Sequence, residues 1–460
     1  MDRPTDAKPG LRQTGGGYAL GLLLVIYTFN FIDRTITNVV AEPIKHELGL
    51  ADWQLGLMGG LAFAVFYTTL GLPIARIAER RSRVTIITLC LTVWSAMTAL
   101  CGLSQNFGQL LAARIGVGVG EAGCTPAAQS LISDRFPPEK RAMALSVFVL
   151  GAPLGSLAGA LVGGWVAQHY GWRNAFLVVG LPGLGLAILT RLTLREPVRG
   201  TFDPPVDASA AAPTFGEALK AMLGARAMRH LLAGACITAF GMYGVQAFAI
   251  PFFIRSLGLS LVQAAGAFGL GVSLAAMTGL MLGGYLATRL SAKDKRYMAF
   301  VPAIGLCLAG PLTSAAFLQT QIAPLAVLFL AGSTFNAFNM GPTYAIINNE
   351  VDPRARATSV AILMFCMNLI GLGLGPLTVG ALSDHLAANA YGAGHAADCL
   401  GHAKAMLPMC KAASATGLRY ALCLTSLIAV WASFHYWRAG IALGAEAPML
   451  ASRKASYQSS

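Results

Sequence analysis

Charged residues are scarce in this sequence. Asp, Glu, Lys and Arg together make up 12% of the 460 residues, whereas 55% of the residues are hydrophobic. Soluble domains carry about 25% charged residues, so the chain lacks much of the polar surface that a water-soluble fold requires. Apolar runs of about twenty residues, each long enough to cross a hydrocarbon core of roughly 30 Å, recur along almost the whole chain. The composition excludes an ordinary soluble protein and indicates an all-α polytopic membrane protein.

Nucleotide-binding and catalytic motifs are also missing. The sequence has no Gly-x-x-x-x-Gly-Lys-Ser/Thr loop, which argues against primary active transport powered by this chain. The His residues lie in or near loops and span ends, so no Ser/His or His/Asp constellation stands at membrane depth. We therefore expect neither an enzyme nor a cofactor. A transport-dead membrane sensor is the alternative of another class, and residues 438–460 are short for an appended signalling domain.

Hydropathy and helix breakers predict twelve membrane spans in two six-helix bundles, at 17–194 and 228–437. The other predicted segments are a cytoplasmic tail at 1–16, a polar connector at 195–227, an outer loop at 385–415 and a cytoplasmic tail at 438–460. The predicted spans are 17–41, 53–77, 84–104, 107–133, 141–168, 173–193, 228–254, 261–288, 297–318, 322–349, 356–384 and 416–437. The connector is rich in Pro and Ala and lacks a long apolar run, as is typical of a link between two units.

Lys and Arg are distributed unevenly among the predicted loops. They are concentrated in RIAERRSR (76–83), DRFPPEKR (134–141) and TRLSAKDKR (288–296), which lie on one side of the membrane if the spans alternate. The positive-inside rule makes this side cytoplasmic, so we expect both termini in the cytoplasm. The formal net charge of +13 is then a signal of topology, and nucleic acid is not expected as a partner.

The two predicted halves resemble each other weakly. The segment GCTPAAQSLISD (123–134) runs from Gly to Asp over the same spacing as GPTYAIINNEVD (341–352). A repeat offset by six spans keeps its orientation, so the halves are parallel repeats related by an axis along the membrane normal. This architecture is typical of secondary transporters that rock between two states. We expect a monomer whose surroundings are the lipid bilayer.

Two of the nine cysteines stand apart from the apolar spans. Cys399 and Cys410 both lie in the predicted outer loop, which faces an oxidising compartment, and this favours a disulfide between them. His395 and His402 are nearby, but their spacing matches no zinc-binding pattern. We therefore predict a disulfide in this loop and no metal site.

Four charged residues lie deep in predicted spans: Asp33 and Arg34 on the first, Arg114 and Glu121 on the fourth. Arg114 and Glu121 are seven residues apart, which places them on one helix face about 10 Å apart along the axis. Intramembrane charges are rare and usually face a cavity or a partner. One interpretation is that they only pin the two spans together.

The functional interpretation is that a carboxylate alternates between its ionised and protonated states during transport. Either Asp33 or Glu121 is suited to this role, since burial and a nearby cation shift carboxyl protonation in opposite directions. Arg114 or Arg34 would tune the carboxylates or offer a planar fork to a phosphate or carboxylate group. These residues predict proton coupling and leave the choice of carboxylate open.

Polar residues in the predicted spans of the second half are mostly neutral. We expect them to line a cavity that is charged on one side and apolar on the other, which suits an amphipathic substrate. The candidates are Tyr243, Gln246, Asn336, Asn339 and Asn368.

The loop ARIAERRSR (75–83) resembles the major facilitator superfamily motif Gly-x-Leu-Ala-Asp-Arg-x-Gly-Arg. Glu79 stands in place of the Asp, and Arg80 and Arg83 are retained. The resemblance implies a conformational latch formed by these three residues, in which the acid pairs with a second-half helix in outward-facing states. The second-half counterpart has Thr288 where the acid would stand, so no second latch is expected.

Within that superfamily the sequence resembles the Spinster family, and its length is similar to that of bacterial members. The resemblance rests on Asp33-Arg34, RIGVGVGEAG (114–123), DRFPPEKRA (134–142) and REPVRG (195–200). It implies the major facilitator fold, the bacterial inner membrane and alternating access for a lipid-like substrate of the lysolipid or sphingolipid type, exported or exchanged. A proton-coupled drug or organic-anion transporter is the alternative.

Overall fold

The computed structural model describes residues 15–199, 214–351, 355–399 and 408–458. All regular structure within these ranges is helical, as the composition predicts. The α-helices are α1 (Gly16–Val39), α2 (Ala41–Leu48), α3 (Asp52–Gly56), α4 (Ala62–Arg80), α5 (Arg83–Leu103), α6 (Phe107–Glu121), α7 (Cys124–Arg135), α8 (Pro138–Val149), α9 (Gly151–Tyr170), α10 (Trp172–Thr193), α11 (Phe215–Gly224), α12 (Arg226–Leu257), α13 (Leu261–Ser291), α14 (Tyr297–Leu318), α15 (Ile322–Asn336), α16 (Met340–Glu350), α17 (Arg356–Cys366), α18 (Gly375–Tyr391), α19 (His395–Cys399) and α20 (Pro408–Gln458).

Eleven helical stretches among the described residues are long and apolar enough to cross a membrane. The predicted fourth span is not among them, because two turn residues, 122–123, divide it into α6 and α7, and each of these helices is too short to cross alone. Pro126, in the first turn of α7, has no backbone N–H to bond back into α6. Gly123 lies at the break, where a Cβ would stand 2.2 Å from Ile74. The division therefore follows from a proline and a close helix contact.

Helices extend into three of the segments predicted to lie outside the spans. The predicted outer loop at 385–415 is partly helical, since α18 continues to Tyr391 and α20 begins at Pro408. The segment predicted as a C-terminal tail at 438–460 continues α20 to Gln458. Alanine-rich sequence explains these extensions, because alanine has the highest helix propensity. The connector at 195–227 contains α11, and the predicted tail at 1–16 lies almost wholly outside the described residues.

Glycines on α9 hold α1 in place. At Gly155 a Cβ would lie 2.3 Å from the carbonyl oxygen of Thr28, and at Gly159 it would lie 3.0 Å from that of Ile32. Only glycine allows the two backbones to approach so closely, as in small-residue helix interfaces within membranes. The contact fixes the position of α1 just before Asp33 and Arg34.

Two π-helical turns meet where the halves touch. The first half has the turn Leu57–Leu61 between α3 and α4, and the second has Met367–Leu374 between α17 and α18. A Cβ on Gly60 would lie 2.8 Å from the carbonyl oxygen of Leu372. Turns of this kind interrupt α-helices mostly at functional positions. The bundles therefore contact each other through two irregular helix segments.

Candidate functional site

Asp33 is paired with Arg114 in the interior of the first bundle. The Arg114 Nη1 donates to Asp33 Oδ1 at 3.1 Å, and the side chains of Arg114 and Asp33 are 2% and 1% exposed. The hydroxyl of Thr98 on α5 donates to the other carboxylate oxygen of Asp33. The buried carboxylate is thus bonded through both of its oxygens, by a cation and by a neutral donor.

Arg34 is paired with Glu121, the other acid of the predicted site. Its Nε donates to Glu121 Oε2 at 2.8 Å, and the Arg34 side chain is 22% exposed whereas that of Glu121 is fully buried. Adjacent residues on a helix point about 100° apart, so Asp33 and Arg34 reach different residues of α6. The four predicted charges are therefore brought together as two separate ion pairs.

Aromatic rings surround the two guanidinium groups. The Arg34 Cζ lies 4.6 Å from the centroid of the Tyr67 ring, 5.0 Å from that of Phe63 and 5.4 Å from that of Phe31. Phe63 also lies 5.6 Å from Arg114. Cation–π contacts at these distances stabilise cations in places that water does not reach. The more exposed guanidinium, that of Arg34, thus stands in an aromatic wall.

Several buried polar atoms of this region have no hydrogen-bond partner among the described residues. They include Arg114 Nε, Glu121 Oε1 and Asn30 Oδ1. A buried polar group without a partner costs about 1–3 kcal/mol, so the arrangement is not optimised as a static support. It retains capacity for a further donor, acceptor or proton.

Sequence reasoning missed Thr98, Phe63 and Tyr67. Thr98 is a polar residue that is 0% exposed within a predicted span, and this combination marks a side chain that has a polar partner. Phe63 and Tyr67 are four residues apart, and this spacing in the sequence indicates that they share one helix face. Their rings stack with centroids 5.3 Å apart. None of the three is charged, so the pattern of intramembrane charges does not single them out.

The neutral candidates of the second half occupy different environments. Tyr243, Gln246, Asn336 and Asn368 are half-buried, and Tyr243 lies close enough to Arg34 for the two groups to interact electrostatically. Asn339 is 6% exposed and donates to the carbonyl of Asn336 in the 3₁₀ turn that divides α15 from α16. The structure thus brings Tyr243 to the charged site and gives Asn339 a partner within its own chain segment.

The predicted latch is described only in part, since the side chain of Glu79 lies outside the described residues and Arg80 is exposed. Arg83 is 1% exposed and donates to Glu196 at 2.7 Å and to Asp134. Burial raises the pKa of Glu196, but hydrogen bonds from the Val84 amide and the Arg83 side chain outweigh it and hold that pKa below its usual range. The described partners of Arg83 therefore belong to the first bundle and the start of the connector.

A second ionic cluster joins the two bundles, and we call it the interbundle cluster. The guanidinium of Arg255 on α12 contacts Glu42 Oε2 and Asp52 Oδ2, each at 2.7 Å. Lys45 contacts Asp52 at 2.6 Å. Asp384 on α18 accepts from the backbone N–H groups of Asp52 and Trp53 at 3.0 and 2.8 Å. Residues of α2 and α3 are thereby tied to two helices of the second bundle.

Glu42 lies outside the membrane-spanning helices and is 4% exposed. Burial raises the pKa of Glu42, but the facing guanidinium of Arg255 and the hydrogen bonds from Arg255 and His46 lower it more, to about 2. The carboxylate is therefore ionised at neutral pH and remains paired with Arg255.

Cys399 and Cys410, the pair predicted from the loop, form a disulfide with Cα atoms 5.5 Å apart. His395 lies at the start of α19, and His402 lies outside the described residues. Within the described ranges no group of three His, Cys, Asp or Glu side chains is placed to bind a metal ion. The disulfide links α19 to the beginning of α20.

The similarity of this chain to known proteins extends over both bundles. A family model described as Major Facilitator Superfamily matches residues 23–376. An MFS-type efflux pump of Mycolicibacterium smegmatis is 34% identical over 80% of this chain and 84% of its own length. Protein spinster of Drosophila melanogaster is 28% identical over 80% of this chain and 62% of its own length. A crystal structure of a bacterial homologue of the human lysosomal transporter Spinster, inward-facing and unoccupied, is 35% identical, with a TM-score of 0.86 over 94% of this chain and 98% of the other.

Proposed function

This chain belongs to the major facilitator superfamily and is a transporter of the Spinster type, and we propose that it couples proton movement to transport of an amphipathic, lipid-like substrate. The observation that carries the proposal is the pair of buried ion pairs that link α1 to α6. Burial of an ion costs several kcal/mol in proteins even after relaxation, and structural packing alone is achieved by apolar residues at lower cost. Asp33 and Glu121 are suited to binding a proton whenever their cation is withdrawn.

The shape and chemistry of the site support an amphipathic substrate. Arg34 is the more exposed of the two cations and stands among Phe31, Phe63 and Tyr67. A guanidinium binds carboxylate and phosphate groups through a planar fork, and the aromatic wall provides an apolar surface beside it. The resemblance to the Spinster family, noted from the sequence, favours a lipid of the lysolipid or sphingolipid type. The relative described as an efflux pump favours a drug or organic anion as the second candidate.

Alternating access has support in the contact between the bundles. The interbundle cluster closes the end that carries α2 and α3, and the similar bacterial structure is described as inward-facing. We infer that this end is the outer end and that the protein stands in an inward-facing state. With the basic loops on the other side, both termini would lie in the cytoplasm, at the inner membrane of a bacterium.

Reconstitution in liposomes tests the proposed function. Labelled lysophospholipids, sphingoid lipids and organic anions are offered to vesicles with and without an imposed pH gradient. We expect one of these classes to accumulate in response to the gradient, and Asp33→Asn or Glu121→Gln to abolish the response while the protein remains monodisperse. Wild-type transport that is unaffected by the gradient and by a protonophore would contradict proton coupling. Accumulation of organic anions alone would select the second candidate.

A further inference from the structure

We propose that Thr98 is a positioning residue that allows Asp33 to hold or release a proton without leaving a buried polar atom unpaired. The proposal rests on the proton coupling proposed above and assigns proton exchange to Asp33 rather than Glu121. Thr98 lies on α5, outside both of the helices that carry the ion pairs, and is 0% exposed.

The Thr98 hydroxyl has two acceptors within hydrogen-bonding distance. It lies against a carboxylate oxygen of Asp33, and it is 2.9 Å from the backbone carbonyl of Trp94 one turn earlier on α5. A hydroxyl has a single hydrogen to donate and two lone pairs that accept. It can therefore donate to only one of these two oxygens at a time, and its rotation decides which.

The two choices match the two protonation states of Asp33. When the carboxylate is ionised, Thr98 donates to Oδ2 and Arg114 donates to Oδ1. When a proton binds, an O–H bond forms at Oδ2, this O–H donates to the Thr98 oxygen, and the Thr98 hydrogen turns to the Trp94 carbonyl. The proton comes from a hydronium ion in a conformation that exposes Asp33: one O–H bond of the hydronium ion breaks as the bond at Oδ2 forms, a water molecule is left, and no covalent bond of Thr98 changes.

Glu121 has no equivalent neighbour among the residues that the structure describes. Its Oε2 accepts from Arg34, and no described residue forms a hydrogen bond with its buried Oε1. A proton bound at Oε1 would find no acceptor there, so protonation would replace an unpaired acceptor by an unpaired donor. The local geometry thus favours Asp33 as the carboxylate that exchanges the proton.

The charged and titratable groups around Asp33 come from three helices. They are Arg34 on α1, Arg114 and Glu121 on α6, and Cys101 on α5. The two cations favour the ionised carboxylate and Glu121 opposes it. Thr98 is the described neutral group that hydrogen-bonds the Asp33 side chain, so its removal changes proton binding without changing any charge.

Infrared titration of the full-length protein tests the proposal directly. The protonated-carboxyl band is followed against pH, and the part that Asp33→Asn removes is assigned to Asp33. Thr98→Val removes the hydroxyl at nearly constant volume. Because a hydrogen bond to a charged group is stronger than one to a neutral group, we expect the midpoint of the Asp33 band to move to higher pH by about one unit, a tenfold change in proton affinity.

Three variants control the experiment. Thr98→Ser keeps the hydroxyl and is expected to keep the wild-type midpoint. Thr92→Val removes a hydroxyl of the same helix that donates only to Thr88, and it is also expected to titrate as wild type. If Thr98→Val is not monodisperse, Thr98→Ala replaces it, with the same direction expected. A midpoint in the hydroxyl-free variant equal to that of wild type, or a protein without a band that Asp33→Asn removes, overturns the proposal.

Transport separates this inference from the proposed function. If proton coupling is correct, the pH profile of substrate flux in Thr98→Val moves with the infrared midpoint. If wild-type flux ignores the pH gradient, proton coupling fails, and the infrared titration still decides whether Thr98 sets proton binding at Asp33. A shifted infrared midpoint with an unshifted flux profile removes Asp33 from the transport cycle and contradicts the assignment.

Discussion

Arg114 and Arg34 make similar ion pairs but differ in their exposure to water. The Arg114 side chain is 2% exposed and that of Arg34 is 22% exposed. Removal of one partner of a buried ion pair leaves an unpaired charge and costs about 3–5 kcal/mol. At an accessible site, water partly replaces the lost partner. The Arg114–Asp33 pair therefore contributes more to holding α1 against α6 than the more exposed Arg34–Glu121 pair.

A comparison of single and double substitutions tests this difference. We expect Arg114→Gln to reduce the free energy of unfolding by about 3 kcal/mol or more and Arg34→Gln to reduce it less. Asp33→Asn combined with Arg114→Gln should recover part of the loss, because no charge then remains unpaired. Thermal unfolding in detergent measures all three, and equal losses in the two single variants would contradict the argument.

The four charges of the site could be predicted from the sequence, because charged residues inside apolar runs are conspicuous. Their pairing could not be predicted. Helix geometry shows only that Asp33 and Arg34 diverge, and the choice between Arg114 and Glu121 depends on how α1 is rotated against α6. That rotation is set by glycine contacts with α9, such as Gly155 on Thr28, which involve a third helix.

At the scale of the helices, α6 is held against α5 by glycines of unequal importance. A Cβ at Gly120 would lie 2.5 Å from the backbone nitrogen of Trp94, whereas one at Gly116 would lie 2.6 Å from the side chain of Met97. A methionine side chain moves aside readily, but a backbone cannot move without displacing its helix. The contact at Gly120 therefore sets the distance between α6 and the helix that carries Thr98.

Two alanine substitutions on α6 form a matched pair. Gly120→Ala is expected to lower the midpoint of thermal unfolding and to reduce substrate flux, because α6 must move away from α5 and takes Glu121 with it. Gly116→Ala, on the same helix, should have a small effect on both measurements. If the two variants behave alike, the backbone contact is not what positions α6.

Spans with uniform apolar sequence were predicted at nearly their observed positions, since length and hydropathy determine them. The division of the fourth span was not predicted, although Gly123 and Pro126 were visible in the sequence. A glycine and a proline are tolerated in many membrane helices. The close approach of Ile74 is a tertiary contact that the sequence does not show, and it acts together with Pro126 at this point.

At the scale of the whole molecule, the bundles are held together at one end by ionic contacts among residues that the sequence presents as loop charges. Glu42 and Asp52 precede Arg255 by more than two hundred positions. No periodicity connects residues so far apart, so the interbundle cluster could not be predicted. The cluster stabilises the conformation in which this end is closed.

Substitution of Arg255 tests that role. We expect Arg255→Gln to shift the population towards conformations in which the α3 end of the first bundle separates from α18. Spin labels on the two bundles at this end measure the separation. Arg173→Gln is the matched control, since Arg173 forms an ion pair with Glu47 within the first bundle. An unchanged distance distribution in Arg255→Gln would contradict a closing function.

Acid should weaken the same contact. The pKa of Glu42 is lowered to about 2 from a usual value of 4.5, so its ionised pairing stabilises the closed end fully above pH 4.5 and is lost as the pH falls towards 2. We expect the label separation to increase over this window. In Glu42→Gln, the part of the pH dependence of the label separation that Glu42 causes should disappear. If this variant responds to acid as the wild type does, Glu42 is not the group that weakens the contact.

The carboxylate of Asp384 has a consequence for the dynamics of the transporter. The first backbone N–H groups of a helix have no acceptor within the helix. In α3 of the first bundle, two of these groups donate to the side chain of Asp384 in the second bundle. Asp384 is thus an N-cap supplied in trans, and such caps contribute about 1 kcal/mol. When the bundles part, we expect the first turn of α3 to lose its cap and to fray. Opening at this end would then include local melting of a helix terminus, in addition to the movement of two rigid bodies.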